Sequence, residues 1–205
     1  MSSTTDDVTE LTQLVLRERR ARDRGWWRAM GECLAPDAAV RLSWFRGTGA
    51  EFVAASREMA ARGDTALHSL HPPVVDVHGP RAVIEMLAGI HLRADLNGVE
   101  VDLTSRARLL YRAERRAGRW VLVSLDPVYE YDVLLPAVPG ARPAVDPQTL
   151  AAARPSYRML TCLLHARGYA VGADLYGDDR PEEVRALYAS LFEWLTPGGA
   201  SVYAD

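Results

Sequence analysis

The sequence predicts an α+β protein: helices first, then a long antiparallel meander able to curve around a pocket, then a helical extension. Three observations carry this. Apolar residues recur at three- and four-residue spacing as far as Arg62. From Val74 the period falls to two, and Asn97-Gly98, a strong hairpin signal, sits between two alternating runs. Beyond a proline-rich stretch the helical spacing returns.

Residues 7–23 read as an amphipathic helix, with Val8, Leu11, Leu14 and Val15 on one stripe and Asp6 and Asp7 favouring its N-terminus. Gly25 interrupts it. A short helix from Trp26 to Leu34 carries Trp27, Met30 and Leu34 at core spacing, and Pro36 stops it. Val40 to Phe45 alternates as a strand. Glu51 to Arg62 is helical again, ended by Gly63.

Val74 to Val77 and Ala82 to Arg93 are strands around the turn His78-Gly79-Pro80. Val99 to Arg112 alternates well. Val99, Val101, Leu103, Ser105, Ala107, Leu109 and Tyr111 face one way, and Glu100, Asp102, Thr104, Arg106, Arg108 and Arg112 the other. Gly118 turns the chain into Trp120 to Leu125, and Pro127 is a place where a bulge could change the parity of the last strand. Pro136, Pro139, Gly140, Pro143 and Pro147 mark a linker. Ser156 to Arg167 (Leu160, Leu163, Leu164) and Pro181 to Leu195 (Val184, Leu187, Leu191, Trp194) are amphipathic helices that need partner surfaces. The expected organisation is a pocket domain over 7–135, a linker over 136–147 and a helical extension over 148–205.

With 205 residues, 48% apolar and 25% charged, the chain can bury a sizeable core. The net charge of −3 and the scatter of Arg among Asp and Glu point away from a nucleic-acid partner. Cys33 and Cys162 lie far apart, so neither a disulfide framework nor a zinc site is expected, and a reduced compartment is. The N-terminal segment lacks a basic region followed by an apolar run, and no apolar stretch approaches membrane-spanning length. The expectation is a soluble cytoplasmic protein with no membrane partner.

Two residues stand out for chemistry. Asp23 follows the first helix, and His68 precedes the meander. Meeting inside a pocket, the carboxylate would orient the imidazole as a general base without metal or cofactor. Asp23 has a second reading, as N-cap of the helix that begins at Trp26, and His68 a second reading as an ordinary hydrogen-bonded histidine. His68 and His71 lie three apart but are followed by Pro72-Pro73 and lack a third ligand, so no metal is expected.

This order of elements resembles the nuclear transport factor 2-like cone in its SnoaL-like branch, which includes polyketide cyclases, scytalone dehydratase, bile-acid dehydratase and ketosteroid isomerase. The resemblance covers roughly residues 7–135 and rests on three local matches. They are Asp23 four residues before Trp27 with the following Cys33-Leu34-Ala35-Pro36, His68 eleven residues before Gly79, and Ser105 on the inward side of the long strand. It implies an Asp23–His68 dyad and a Ser105 hydroxyl that holds a substrate oxygen or water. Trp27, Trp44, Tyr111 and Tyr129 would line the pocket, and Asp126 would be an acid on a late strand. The chain departs from scytalone dehydratase in having Arg22 where a Tyr precedes the Asp and Ala107 where an Asn follows the Ser.

The expected function is therefore a cofactor-free dehydratase of a hydrophobic cyclic or polyketide-like molecule. Cyclisation or isomerisation on the same scaffold stands beside it, as does a non-catalytic small-molecule binder. A homodimer is the state this fold implies. The extension would act either as a lid or as a dimer arm.

Overall fold

Helix α1 (Thr4–Asp23) buries Leu11, Leu14 and Val15, three residues on one helical face. This computed structural model describes residues 4–198; positions 199–205 of the expected extension lie outside the described residues. After a turn at Gly25, α2 (Trp27–Cys33) buries Met30 and Cys33. Its N-cap is Trp26, without a side-chain cap bond, so Asp23 does not cap it.

The chain then enters β1 (Leu34–Arg41) directly. Pro36 therefore stops α2 but does not delay the strand. The pairing of β1 with β7 changes register between Leu34 and Ala39, so the missing N–H of Pro36 falls where the ladder is already broken. Residues 42–45, expected as strand, turn the chain into β2 (Arg46–Thr48). Thr48 and Glu51 form a reciprocal capping box that starts α3 (Gly49–Ala61). Gly49 is required there: a Cβ would lie 2.3 Å from the Ala35 carbonyl oxygen, so only glycine lets α3 approach β1 so closely.

Six further strands complete one curved sheet. They are β3 (Leu67–Leu70), β4 (Val74–His78), β5 (Arg81–Leu96), β6 (Val99–Arg116), β7 (Arg119–Pro136) and the two-residue β8 (Tyr176–Gly177). The order is β2-β1-β7-β6-β5-β3, with β4 also on β5 and β8 on β7. The segment around His68 is thus an edge strand, paired His68 to Ile90, and not a loop. Along β6 the alternation expected from the sequence is the burial observed, with Val101, Leu103, Ser105, Ala107, Leu109 and Tyr111 all buried.

β7 continues through Pro127 because β1 leaves it after Leu125 and β8 joins only at Val128, so the proline meets a gap on that side. Its parity does change, three residues later. Arg106 pairs with Tyr131 and Ala107 with Tyr129, which leaves Glu130 as the extra residue of a bulge. The flip turns Tyr131 out to solvent and Asp132 inward, opposite Ser105.

Short helix α4 (Pro147–Ala152), capped by Asp146, and a 3₁₀ turn (Pro155–Tyr157) lead into α5 (Arg158–Ala166). Asp132 accepts the Leu160 N–H at 2.7 Å and so fixes the first turn of α5. α5 presses Leu160, Leu163 and Leu164 onto the inner face, against Leu103, Ala107 and Tyr129. The chain then rounds the β7 edge through β8, held by the Arg154–Asp179 pair at 2.9 and 2.7 Å. α6 (Pro181–Leu195) covers the opposite face, packing Leu187, Leu191 and Leu195 on Val83, Leu110 and Val128. Among the described residues no helix is long and apolar enough to cross a membrane.

The β6–β7 hairpin turns on Ala117 (φ 48°) and Gly118 (φ 79°), as β5–β6 turns on Asn97 (φ 54°) and Gly98 (φ 84°). Both hairpins need left-handed backbone at two positions, and alanine adopts it at a cost. Ala117→Gly is expected to stabilise the fold by about 0.5–1 kcal/mol, read from urea denaturation midpoints. An unchanged or lower midpoint would show that the turn carries no strain.

Candidate functional site

α1 ends on Asp23, and both oxygens of that carboxylate are used on β3. Oδ2 accepts the backbone N–H of His68 at 2.8 Å, and Oδ1 lies 2.6 Å from His68 Nδ1. Because a carboxylate only accepts, the ring proton resides on Nδ1, and Nε2 keeps its lone pair. The alternation of β3 sends His68 and Leu70 inward and Leu67 and Ser69 outward. Only 4% of the His68 side chain is exposed.

His68 lines a small, partly open cavity of about 40 Å³, together with Arg19, Arg22, Trp44, Tyr129, Leu160 and Leu164. That is room for a few water molecules. The two leucines belong to α5, which packs over the mouth on the inner face of the sheet. Tyr129 is locked in the wall by the Ser43 N–H, which donates to its hydroxyl at 3.0 Å. Arg22 and Ala66 also line a second, outer cavity of about 250 Å³ with Asp23, Trp27, Ser56 and Asp64.

The buried stripe of α1 continues past Val15 into Glu18 and Arg19, 0% and 2% exposed, and then the half-buried Arg22. Arg19 Nε donates to Glu18 Oε2 at 2.5 Å, its Nη2 donates to Oε1, and the Tyr111 hydroxyl reaches the same carboxylate at 3.5 Å. Burial, aided by the Arg19 and Arg22 cations, pushes His68 from the ordinary 6.5 down to about 4 against the pull of Asp23. Burial alone would raise Asp23, but hydrogen bonds from the His68 side chain and backbone and the Arg19 cation hold it below the ordinary carboxylate value. At neutral pH the pair is a carboxylate and a neutral imidazole, the state in which Nε2 can take a proton.

The sequence profile of the SnoaL-like domain matches residues 3–126. This chain belongs to the SnoaL-like domain family. Pea pathogenicity protein 2 of the fungus Fusarium vanettenii is 30% identical over 183 residues, 85% of this chain and 78% of that protein. A PEP2-like protein of the same fungus is 30% identical over 204 residues, 92% of this chain and 88% of the relative. Among solved structures, a hexachlorocyclohexane dehydrochlorinase has the same fold at a TM-score of 0.54, with 13% identity over 69% of this chain and 97% of its own. The Kfla4162 protein of Kribbella flavida aligns at a TM-score of 0.53, with 15% identity over 66% of this chain and 94% of its own.

Of the residues expected at the site of this SnoaL-like protein, Asp23, His68, Trp44 and Tyr129 are brought together at the inner cavity or its wall, and Trp27 lines the outer one. Three expected residues lie elsewhere. Ser105 faces inward but sits fully buried beneath the mouth, outside the cavity lining, with its hydroxyl unpartnered. Tyr111 is core, spent on Glu18. Asp126 pairs with Leu110, the outer-face residue under α6, and binds Arg41 at 3.2 Å. Glu85 and Glu130 are likewise outward ion pairs, with Arg108 and with Arg106 and Arg108. Among the described residues no three His, Cys, Asp or Glu side chains group as a metal would require. Sequence reading missed Glu18, Arg19 and Arg22. The available signal was their spacing, which continues the apolar stripe Leu11–Leu14–Val15 with charges.

Between pH 6.5 and about 4 the unfolded chain binds a proton at His68 that the folded chain refuses. This contribution to stability is therefore present above pH 6.5 and lost as pH falls towards 4, on the order of 3 kcal/mol in all. The loss between pH 7 and 4.5 in denaturant titrations is expected to be smaller in His68→Asn than in wild type. Equal losses would mean that His68 charges freely in the fold.

Proposed function

We propose that this protein is a cofactor-independent acid–base enzyme acting on a hydrophobic cyclic or polyketide-like molecule, with dehydration as its leading reaction. The reading rests on one observation: a neutral imidazole on a small, largely apolar cavity, its tautomer set by a carboxylate that also grips its backbone. His68 Nε2 would take a proton from a carbon next to a carbonyl, and the C–H electron pair would move into an enolate. Collapse of the enolate restores the carbonyl, forms the new C=C bond and expels the β-hydroxyl, which leaves as water with the proton carried by His68. The same first step serves aldol-type cyclisation and isomerisation. Elimination chemistry also appears in the name of the dehydrochlorinase that shares this fold.

The inner cavity is smaller than any such substrate, so α5 must move for one to reach His68. In this reading α5 is a lid.

The test is a turnover assay on a panel of cyclic β-hydroxy ketones, following enone absorbance. His68→Ala and Asp23→Asn are each expected to lower kcat/KM by about 10²–10⁴-fold. The acid limb of kcat/KM should fall below pH 6.5, because burial holds the ring neutral there. Turnover that survives both substitutions would sink the dyad. Ligand binding without turnover, unaffected by either substitution, would establish the binding-protein reading instead.

A further inference from the structure

Arg22 is a half-buried cation with no carboxylate in hydrogen-bond reach. Its Nη2 reaches only the Met59 sulfur, at 3.8 Å, and its guanidinium lies over the Trp44 ring at 5.5 Å. Its Nε is fully enclosed and makes no hydrogen bond. The two carboxylates nearest in the helix are already committed, Glu18 to Arg19 and Tyr111, and Asp23 to the backbone N–H and Nδ1 of His68. Asp64, across the outer cavity, binds Arg167, Arg62 and the Tyr169 hydroxyl. A buried charged donor left unmatched is costly, and such groups are normally matched by protein or water.

Its position says what would match it. Arg22 is on the wall shared by the inner cavity, where His68 lies, and the outer cavity, where the Ser56 hydroxyl is also buried and unpartnered. A molecule held at His68 in the inner cavity lies in a space whose wall also carries the Arg22 side chain. Burial and the neighbouring Arg19 pull Arg22 down to about 10, which leaves it charged at neutral pH.

We infer that Arg22 is the oxyanion-holding residue of this site: it receives the ligand oxygen that becomes negative when His68 removes a proton from the adjacent carbon. The inference rests on the acid–base reading for its chemistry. The carbonyl π electrons move onto oxygen as the C–H pair forms the new double bond, and the guanidinium N–H groups take up that charge without a proton changing hands. When the enolate collapses and the β-hydroxyl leaves, the oxygen returns to neutrality and Arg22 releases it. The substrate carbonyl is thereby placed between Arg22 and His68, which selects ligands whose acidic carbon lies next to that carbonyl.

The experiment uses a nitrophenol, whose ionised form mimics an enolate and is coloured, titrated against the intact chain. Wild type is expected to bind the phenolate and to lower the apparent pKa of the bound phenol. Arg22→Gln should weaken phenolate binding by about 10- to 100-fold, with little change for the neutral phenol. Arg22→Met supplies the control for folding. An unpaired cation replaced by an apolar chain of similar reach should leave the thermal midpoint unchanged or raised while phenolate binding is lost. His68→Asn should retain phenolate binding, so that absence of turnover on the ketone panel would overturn the enzyme reading and leave the anion site standing. The inference is overturned if wild type shows no preference for the phenolate. It is equally overturned if Arg22→Gln binds phenolate as wild type does, or if Arg22→Met unfolds the protein, which would make the guanidinium structural.

Discussion

The buried face of α1 is apolar for its first half and charged for its second, and the interior is arranged around that change. Leu11, Leu14 and Val15 seat the helix on the sheet as any amphipathic helix would be seated. One turn later the same face presents Glu18, Arg19 and Arg22, where charges interact far more strongly than in water and desolvation is costly. Of these, Glu18 and Arg19 answer one another, while Arg22 has no carboxylate in hydrogen-bond reach. Glu18 takes Arg19 and the Tyr111 hydroxyl, which fixes the deep wall, and Asp23 at the helix end takes His68, which fixes the edge strand. Burial first, and then two neighbouring guanidinium groups, outweigh the one carboxylate and hold His68 neutral.

Much of this was legible in the sequence. The change of period near Val74 gives the meander, and Asn97-Gly98 gives its central hairpin at the residues where the backbone is left-handed. Asp23 and His68 could be picked out because an acid and an imidazole flank the turn from helices to sheet. The remainder depends on pairing, which the local pattern does not encode. His68 lies in a strand of only four residues, too short for alternation to declare itself. The Glu130 bulge is invisible until β6 and β7 are set in register, and from Tyr129 onward it decides that Tyr131 faces out and Asp132 in.

Facing inward also proved different from facing the cavity. Ser105 and Tyr111 obey the alternation and are buried, yet other side chains stand between them and the open space. The charged stripe is the opposite case. Glu18, Arg19 and Arg22 were readable as core-facing from spacing alone, because a stripe does not end where its residues cease to be apolar.

The C-terminal helices sit on opposite faces of the sheet, α5 over the mouth and α6 behind it, with β8 clasping the β7 edge between them. Asp132, turned inward by a single extra residue in β7, holds the first turn of α5. If His68 serves a ligand as proposed, traffic to it would be coupled to a local unfastening of that turn, an equilibrium with its own free energy below that of global unfolding. The dimensions of the resting cavity then say little about what the protein can admit. Residence time, more than shape, would then be the property on which a ligand is sorted.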